Sequence, residues 1–362
     1  MDDMLEMIET TMKQITVADL GASVLNPERY AQYVKGLMRP ESILSDIRYT
    51  PMESQRTLID RVVAPDRVLR RLSEGTMAGG SAPTFKQVQM DAVPLIGYMP
   101  IYDPALRRNL EGGNFESTLV DLMSGATRRD IEEFLVFSRV NASDTSGDIL
   151  LGSEGFIRQS IMAYGNSTDG NVDNNILYGK NTATGEDPDF NPEIDKDNVT
   201  TLFDSMLKAL PSEYTGMPSD FKFYVPFEVA DAYRDYLASR NTLAGDEMLM
   251  SGELKPYKGV PVKYCPVLDK EFQNFDDVID LFQKPVILTQ PSNLIFGLFQ
   301  EVKVEVAREP KYARTDFVIQ TEPASGVEVP EACVVALPDA NKNDANALWS
   351  TTHSQSPPSG SV

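Results

Sequence analysis

Apolar residues change their spacing several times along this chain, and each change marks a different kind of element. Across Phe115 to Ser138, a stretch without proline, Leu119, Leu122, Met123, Ala126, Ile131, Phe134 and Leu135 recur at helical intervals. One helix about 36 Å long is predicted there, with Gly125 as its weak point. A second helical stripe, Val199, Leu202, Phe203, Met206, Leu207 and Leu210, opens at Asn198 as a candidate cap and stops at Pro211. Phe221 to Val225 then alternates as a strand, and Pro226 opens a helix with Val229, Ala230, Tyr233, Tyr236 and Leu237 inward. Gly259 to Tyr264 alternates again, and Pro261 assigns it to a sheet edge. Beyond Pro285 the pattern turns to strands: Val286 to Thr289, Leu294 to Phe299, Val302 to Val306, Phe317 to Thr321 and Val327 to Leu337.

The rest is less periodic. Met1 to about Tyr49, broken by Pro27 and Pro40, has too few periodic apolar residues for a core of its own and reads as an arm. Arg48 to Met99 is rich in β-branched residues and arginine around a tip, Glu74 to Ser81, that holds three glycines, so a long two-stranded excursion is predicted. Such a hairpin buries too little surface alone and needs something to lie on, which points to a neighbouring subunit. Asn141 to Asp197 is rich in Gly, Asn, Asp and Ser, with short apolar clusters at Phe156-Ile157 and Ile176 to Tyr178, and reads as loop. Asp339 to Val362 has the composition of a mobile tail.

Composition narrows the function more than the fold. With 33 basic and 54 acidic residues the net charge is -21, and no cluster of Lys and Arg resembles the counterion-releasing patch of a nucleic-acid reader. No apolar run approaches membrane-spanning length, and the acidic Met1-Asp2-Asp3 start lacks a leader's basic pattern, so cytoplasmic synthesis is expected. Two cysteines, Cys265 and Cys333, lie in strand-like apolar contexts that favour reduced, buried thiols over a disulfide.

Candidate chemistry is sparse. The single histidine, His353, falls in the tail beside the single Trp349, which removes most imidazole-based catalytic and metal schemes. No phosphate loop or dinucleotide fingerprint is present, and no cofactor is expected. Asp169, Asn171 and Asp173 begin like a calcium loop, but Asn174 stands where glycine is needed and Lys180 where the closing Glu belongs. An acidic carbohydrate-active enzyme built on a carboxylate pair stays open as a reading of a different class.

Several local stretches carry a resemblance. Ile101 to Asn109 precedes the long helix, Tyr257-Lys258-Gly259-Val260-Pro261-Val262 forms the edge strand, and Ile287 to Leu298 contains the Asn293-Leu294 to Gly297 step. In this order the chain resembles the tailed-phage major capsid proteins of the Hong Kong ninety-seven fold. The resemblance implies an α+β chain with an N-terminal arm at 1–48 and an extended β-hairpin loop at 49–105. A peripheral domain with a spine helix and loop-rich stretch follows at 106–197, then an axial α/β domain at 198–285. A peripheral β segment at 286–338 and a flexible tail at 339–362 complete it.

The same resemblance implies a virion protein, assembled in the host cytoplasm, whose hexamers and pentamers form an icosahedral shell enclosing double-stranded DNA. A separate scaffolding protein, a portal and decoration proteins are the implied partners, with no membrane. An encapsulin-like compartment shell is the alternative within the same architecture. Some relatives of this type crosslink through a lysine; Lys86 lies in the loop, without an identified partner, and no catalytic residue is assigned. Charge complementarity suggests that Arg67, Arg70 and Arg71 on the hairpin meet Glu116, Asp121, Asp130, Glu132 or Glu133 of a neighbour's helix.

Overall fold

The structure, a computed structural model, describes residues 43–63, 84–102, 115–141, 146–165, 175–180, 189–211, 213–214, 216, 218–239, 254–299 and 303–340. The expectations for the tip at 74–81, the acidic loop at 169–174, the arm before 43 and the tail beyond 340 lie outside these residues. In chain order the strands are β1 (Arg48–Pro51), β2 (Arg56–Val63), β3 (Thr84–Asp91) and β4 (Leu95–Tyr102), followed by helix α1 (Phe115–Phe137) and helix α2 (Phe156–Gly165). Next come β5 (Ile176–Tyr178), α3 (Val199–Ala209), β6 (Lys222–Val225), α4 (Phe227–Ser239), β7 (Val262–Tyr264) and β8 (Val286–Thr289). The chain continues through β9 (Leu294–Leu298), β10 (Lys303–Glu309), β11 (Arg314–Thr321), β12 (Pro323–Val327) and β13 (Cys333–Leu337).

A five-stranded sheet in the order β5-β13-β8-β6-β7 divides the interior. Successive side chains of a strand face opposite ways, so every strand here except the edge strand β7 feeds two cores. Phe223, Val225, Val286, Leu288, Val334 and Ala336 pack with Leu202, Phe203 and Met206 of α3 and Val229, Ala230 and Tyr233 of α4. Tyr224, Ile287, Val335 and Leu337 pack the other way, with Ile131, Phe134 and Leu135 of α1 and Phe156, Ile157 and Ile161 of α2. Burial on both faces explains why Val286-Ile287-Leu288 and Cys333-Val334-Val335-Ala336-Leu337 read as continuous apolar runs.

This sheet corrects the boundary expected at residue 285. The unit at 198–285 supplies only β6 and β7, at one side of the sheet. Its centre, β8 and β13, comes from the segment assigned to the peripheral region, and β5 from the stretch read as loop. A short edge pair cannot cover α3 and α4 alone, so the apolar faces of distant strands complete the layer.

The loop-rich stretch also holds the ten-residue helix α2. Gly155 explains its entry: the backbone presses against residues 136–138 so closely that a Cβ would sit 2.8 Å from the Ser138 nitrogen and the Val136 oxygen. The Gly155 amide donates to the Ser138 carbonyl at 2.7 Å, which fixes α2 against the end of α1.

Two smaller sheets flank this body, β1-β9-β12 and β10-β11-β4. The arm ends inside the first of them: Ile43 and Leu44 are fully buried and β1 pairs in parallel with β9. Asp46 ties this entry to the large sheet, accepting from Lys263 at 2.9 Å and Lys222 at 3.1 Å. Burial pushes its carboxyl up, but the hydrogen bonds and charges of the two lysines outweigh that and hold it below the usual carboxylate range.

The run expected as one strand from Val327 to Leu337 is two strands, β12 and β13, separated by a 3-10 turn at Pro330–Ala332. Asn293 and Thr289 hold that crossing. Asn293 donates to the Val329 carbonyl at 2.9 Å and to Thr289 Oγ1 at 3.0 Å, accepts from the Val329 amide, and is almost wholly buried. Asn198 precedes α3 but does not cap it: its side chain accepts from the Asp195 amide and donates to the Glu193 carbonyl, closing the turn before the helix. Both cysteines are free and buried.

Because the Gly155 contact is with backbone, Gly155→Ala has no side chain to displace. It should lower unfolding stability by about 1–3 kcal/mol in chemical denaturation, the usual cost of overpacking a tight site.

Candidate functional site

The hairpin forms as expected, but only part of 49–105 belongs to it. Strands β2 and β3 pair antiparallel from Arg56↔Asp91 to Val63↔Thr84, while β1 and β4 join the two small sheets. In an antiparallel pair, residues directly opposite each other share a face. One face therefore carries Thr57, Ile59 and Arg61 with Lys86, Val88 and Met90, and the other carries Leu58, Asp60 and Val62 with Phe85, Gln87 and Gln89.

The first face rests on the chain's own body. Met90 is fully buried with Met52, Ile295 and Ala324, and Ile59 packs against this cluster. Room for Met90 comes from two glycines, since a Cβ on Gly297 would lie 2.6 Å from Met90 Cε and one on Gly326 2.6 Å from its sulfur. Further out, Glu331 on the Pro330–Ala332 turn accepts from Arg61 Nη1 at 2.9 Å and Lys86 Nζ at 2.7 Å. Thus the root of the hairpin lies on its own subunit, and Lys86 is engaged within the chain.

The second face has no such cover among the described residues. Leu58, Val62 and Phe85 are 51%, 61% and 69% exposed, although they sit in strands whose other side is anchored. Between and beside them Gln87 donates to Asp60 at 2.8 Å and Arg56 pairs with Asp91 at 2.8 Å. A second exposed apolar surface lies on β4, where Ile96 and Tyr98 point outward and the Arg314 guanidinium stands 5.8 Å from the Tyr98 ring. Exposed apolar side chains in contiguous rows, interleaved with paired polar groups, have the make-up of a protein-contact surface.

The acidic helix residues separate into different environments. Glu132 is buried, turned into the body close enough to help raise the Cys265 thiol, and is not available to a neighbour. Glu133 accepts from Lys270 at 3.1 Å, while Asp130 is exposed. Helical spacing does not separate the two, because Asp130 and Glu132 both adjoin Ile131 at the edge of the apolar stripe, and packing of the body against α1 covers only Glu132. Glu116 and Asp121 lie on α1 with side chains outside the described residues, as do Arg67, Arg70 and Arg71 altogether.

Sequence reading missed Glu331, Arg61 and Lys86 as a group. Nothing local marks Glu331, which lies 245 residues from Lys86. Nor does the glycine-rich tip at 74–81 give the register, because pairing centred on it would set Arg61 opposite Pro94 rather than Lys86. Among the described residues no group of three His, Cys, Asp or Glu is placed to hold a metal, and no helix is long and apolar enough to cross a membrane.

Burial opposes ionisation of Glu331, but Lys86 and Arg61 overcome it and bring its pKa down to about 2. A depressed carboxylate pKa stabilises the folded contact fully above the ordinary value of 4.5 and progressively less as pH falls toward 2. Amide exchange in β2 and β3, measured at matched intrinsic rates, should accelerate across that interval in the wild type and stay flat in Glu331→Gln.

No family model matches this chain. In sequence it is 26% identical over 304 residues to a Bacillus subtilis protein named as a prophage capsid protein, YqbE, covering 82% of this chain and 86% of that one. In structure it is similar to a chain of the satellite phage P4 procapsid that includes the size determination protein Sid, with TM-score 0.59, 13% identity and 93% and 96% of the two chains covered. It is also similar to the capsid protein of a native GTA particle, with TM-score 0.56, 11% identity and coverages of 83% and 90%. A third likeness is to the capsid of the cyanophage P-SCSP1u, with TM-score 0.52, 13% identity and coverages of 82% and 86%. In fold, therefore, the chain is similar to chains of phage and phage-like capsids, and in sequence it is similar to a prophage capsid protein.

Proposed function

We propose that this chain is the major capsid protein of a tailed phage or prophage, forming hexamers and pentamers that close into an icosahedral shell around double-stranded DNA. One observation carries this reading beyond the fold. The hairpin is anchored on one face and presents Leu58, Val62 and Phe85 on the other, and a monomer gains nothing from that arrangement.

Magnitudes identify what would drive assembly. Burying an exposed Leu, Val or Phe is worth up to about 1.5–3 kcal/mol each, whereas an exposed ion pair contributes about 0–1 kcal/mol. Apolar contact by the outer face therefore supplies most of the affinity, and charges such as Arg67, Arg70, Arg71 and Asp130 set register between copies. Contacts from one patch to a different patch on the next copy generate rings, which suits hexamers and pentamers. Net charge of -21 suits a container whose wall does not adhere to packaged polyanion. Separate scaffolding, portal and decoration proteins, with assembly in the host cytoplasm, complete the proposal. No catalytic step is part of it.

Negative-stain microscopy and sedimentation of the purified chain, with and without a co-expressed scaffolding protein, should reveal large closed particles. A monomer under every condition would defeat the proposal. The double variant Val62→Glu, Phe85→Glu changes only exposed side chains, so it should leave the thermal transition within a few degrees and abolish particles. Reversing Arg70 and Arg71 to Glu should reduce assembly of a folded subunit, and unchanged particle yield would remove those arginines from the contact.

A further inference from the structure

The root of the hairpin is held at two points of different chemistry. Met90 occupies the notch over Gly297 and Gly326, an apolar contact on the β9 and β12 strands. Lys86 lies four residues further out on β3, about 13 Å along an extended strand, and with its opposite number Arg61 it grips Glu331. Both points are on the same face, so Met90 works as a pivot and the ionic grip as a stay placed away from it.

The stay is anchored at a joint of the fold. Glu331 belongs to the turn through which the chain leaves β12, in one small sheet, and enters β13, in the five-stranded sheet. Its carbonyl accepts from Asn175 Nδ2 at 2.8 Å, immediately before β5, and Glu328 at the start of the turn pairs with Arg48 of β1 at 2.9 Å. A change in the relative setting of the two sheets would therefore move the carboxylate that fixes the hairpin.

We propose that Glu331 is a releasable latch: gripping Arg61 and Lys86, it sets the angle of the hairpin about the Met90 pivot and thereby the angle at which Leu58, Val62 and Phe85 meet a neighbouring copy. The inference rests on the assembly role proposed above for that outer face, and it adds the regulation of that face. Ionic grip suits a latch better than apolar contact does. Lys86 and Glu331 are partly solvated, so screening ions or a competing charge weaken the grip without unfolding the strands, whereas the Met90 contact is indifferent to salt.

The test uses the full-length soluble subunit, with amide exchange read separately for β2 and β3 and for the core strands β8 and β13. Glu331→Gln should speed exchange in the hairpin by up to about fivefold for each of the two ion pairs it removes, and leave β8 and β13 unchanged. Raising salt should loosen the hairpin of the wild type and have no further effect on Glu331→Gln. Met90→Ala should loosen the hairpin equally at low and high salt. A charge-exchanged variant, Glu331→Lys with Arg61→Glu and Lys86→Glu, should restore slow exchange. Unchanged hairpin exchange in Glu331→Gln, or loosening that spreads equally to β8 and β13, would overturn the latch. In assembly, Glu331→Gln should give fewer or irregular particles and the charge-exchanged variant normal ones. Absence of particles from the wild type would instead count against the capsid reading, while the exchange data still decide the latch.

Discussion

Burial of one sheet on both of its faces is the constraint from which the rest of this molecule follows. Each of the strands β5, β13, β8 and β6 must place apolar side chains on alternate sides at once, against α1 and α2 in one direction and α3 and α4 in the other. A layer of this kind has no solvated side where a mismatch can be tolerated, so its central strands are the apolar runs Val286-Ile287-Leu288 and Cys333 to Leu337. Because those runs come late in the chain, the segment cannot be divided into successive independent blocks. The two helical layers share a wall and stand or fall with it.

Polar groups around that wall are matched rather than avoided. Asp46, Asn293 and Asp276 each sit where two or three separate segments meet: Asp276 accepts from Arg139 at 2.6 Å and from the amides of Val278 and Ile279. Burial raises the carboxyl of Asp276, but its bonds to the Val278 amide and Arg139 prevail and hold it below the ordinary range. Such a group costs several kcal/mol if stripped of its partners, so each one penalises any arrangement that would separate the segments it joins.

The hairpin obeys different physics. With two strands and one anchored face it has no core beyond the Met90 cluster, and its outer face leaves large apolar side chains in water. The proposed assembly role gives that exposure a reason, since a shell subunit would be incomplete until its neighbours are present. In the proposed assembly, charges would set angle and register there and apolar area would supply affinity.

Local pattern determined much of this. The prolineless run of Phe115 to Ser138 had only one regular structure open to it, Pro261 could only sit at an edge, and the glycine-rich tip demanded a reversal between Val63 and Thr84. The resemblance in the order of these elements was legible for the same reason. What required the tertiary structure was every relation between distant residues: that β8 and β13 enter the sheet of α3 and α4, that Glu132 turns inward while Asp130 does not, and that Glu331 grips Arg61 and Lys86 across 245 or more positions. Periodicity records which face of an element avoids water, and it is therefore written in neighbouring residues. The partner that covers that face is chosen by packing among all segments at once, and no local stretch of the chain holds that information.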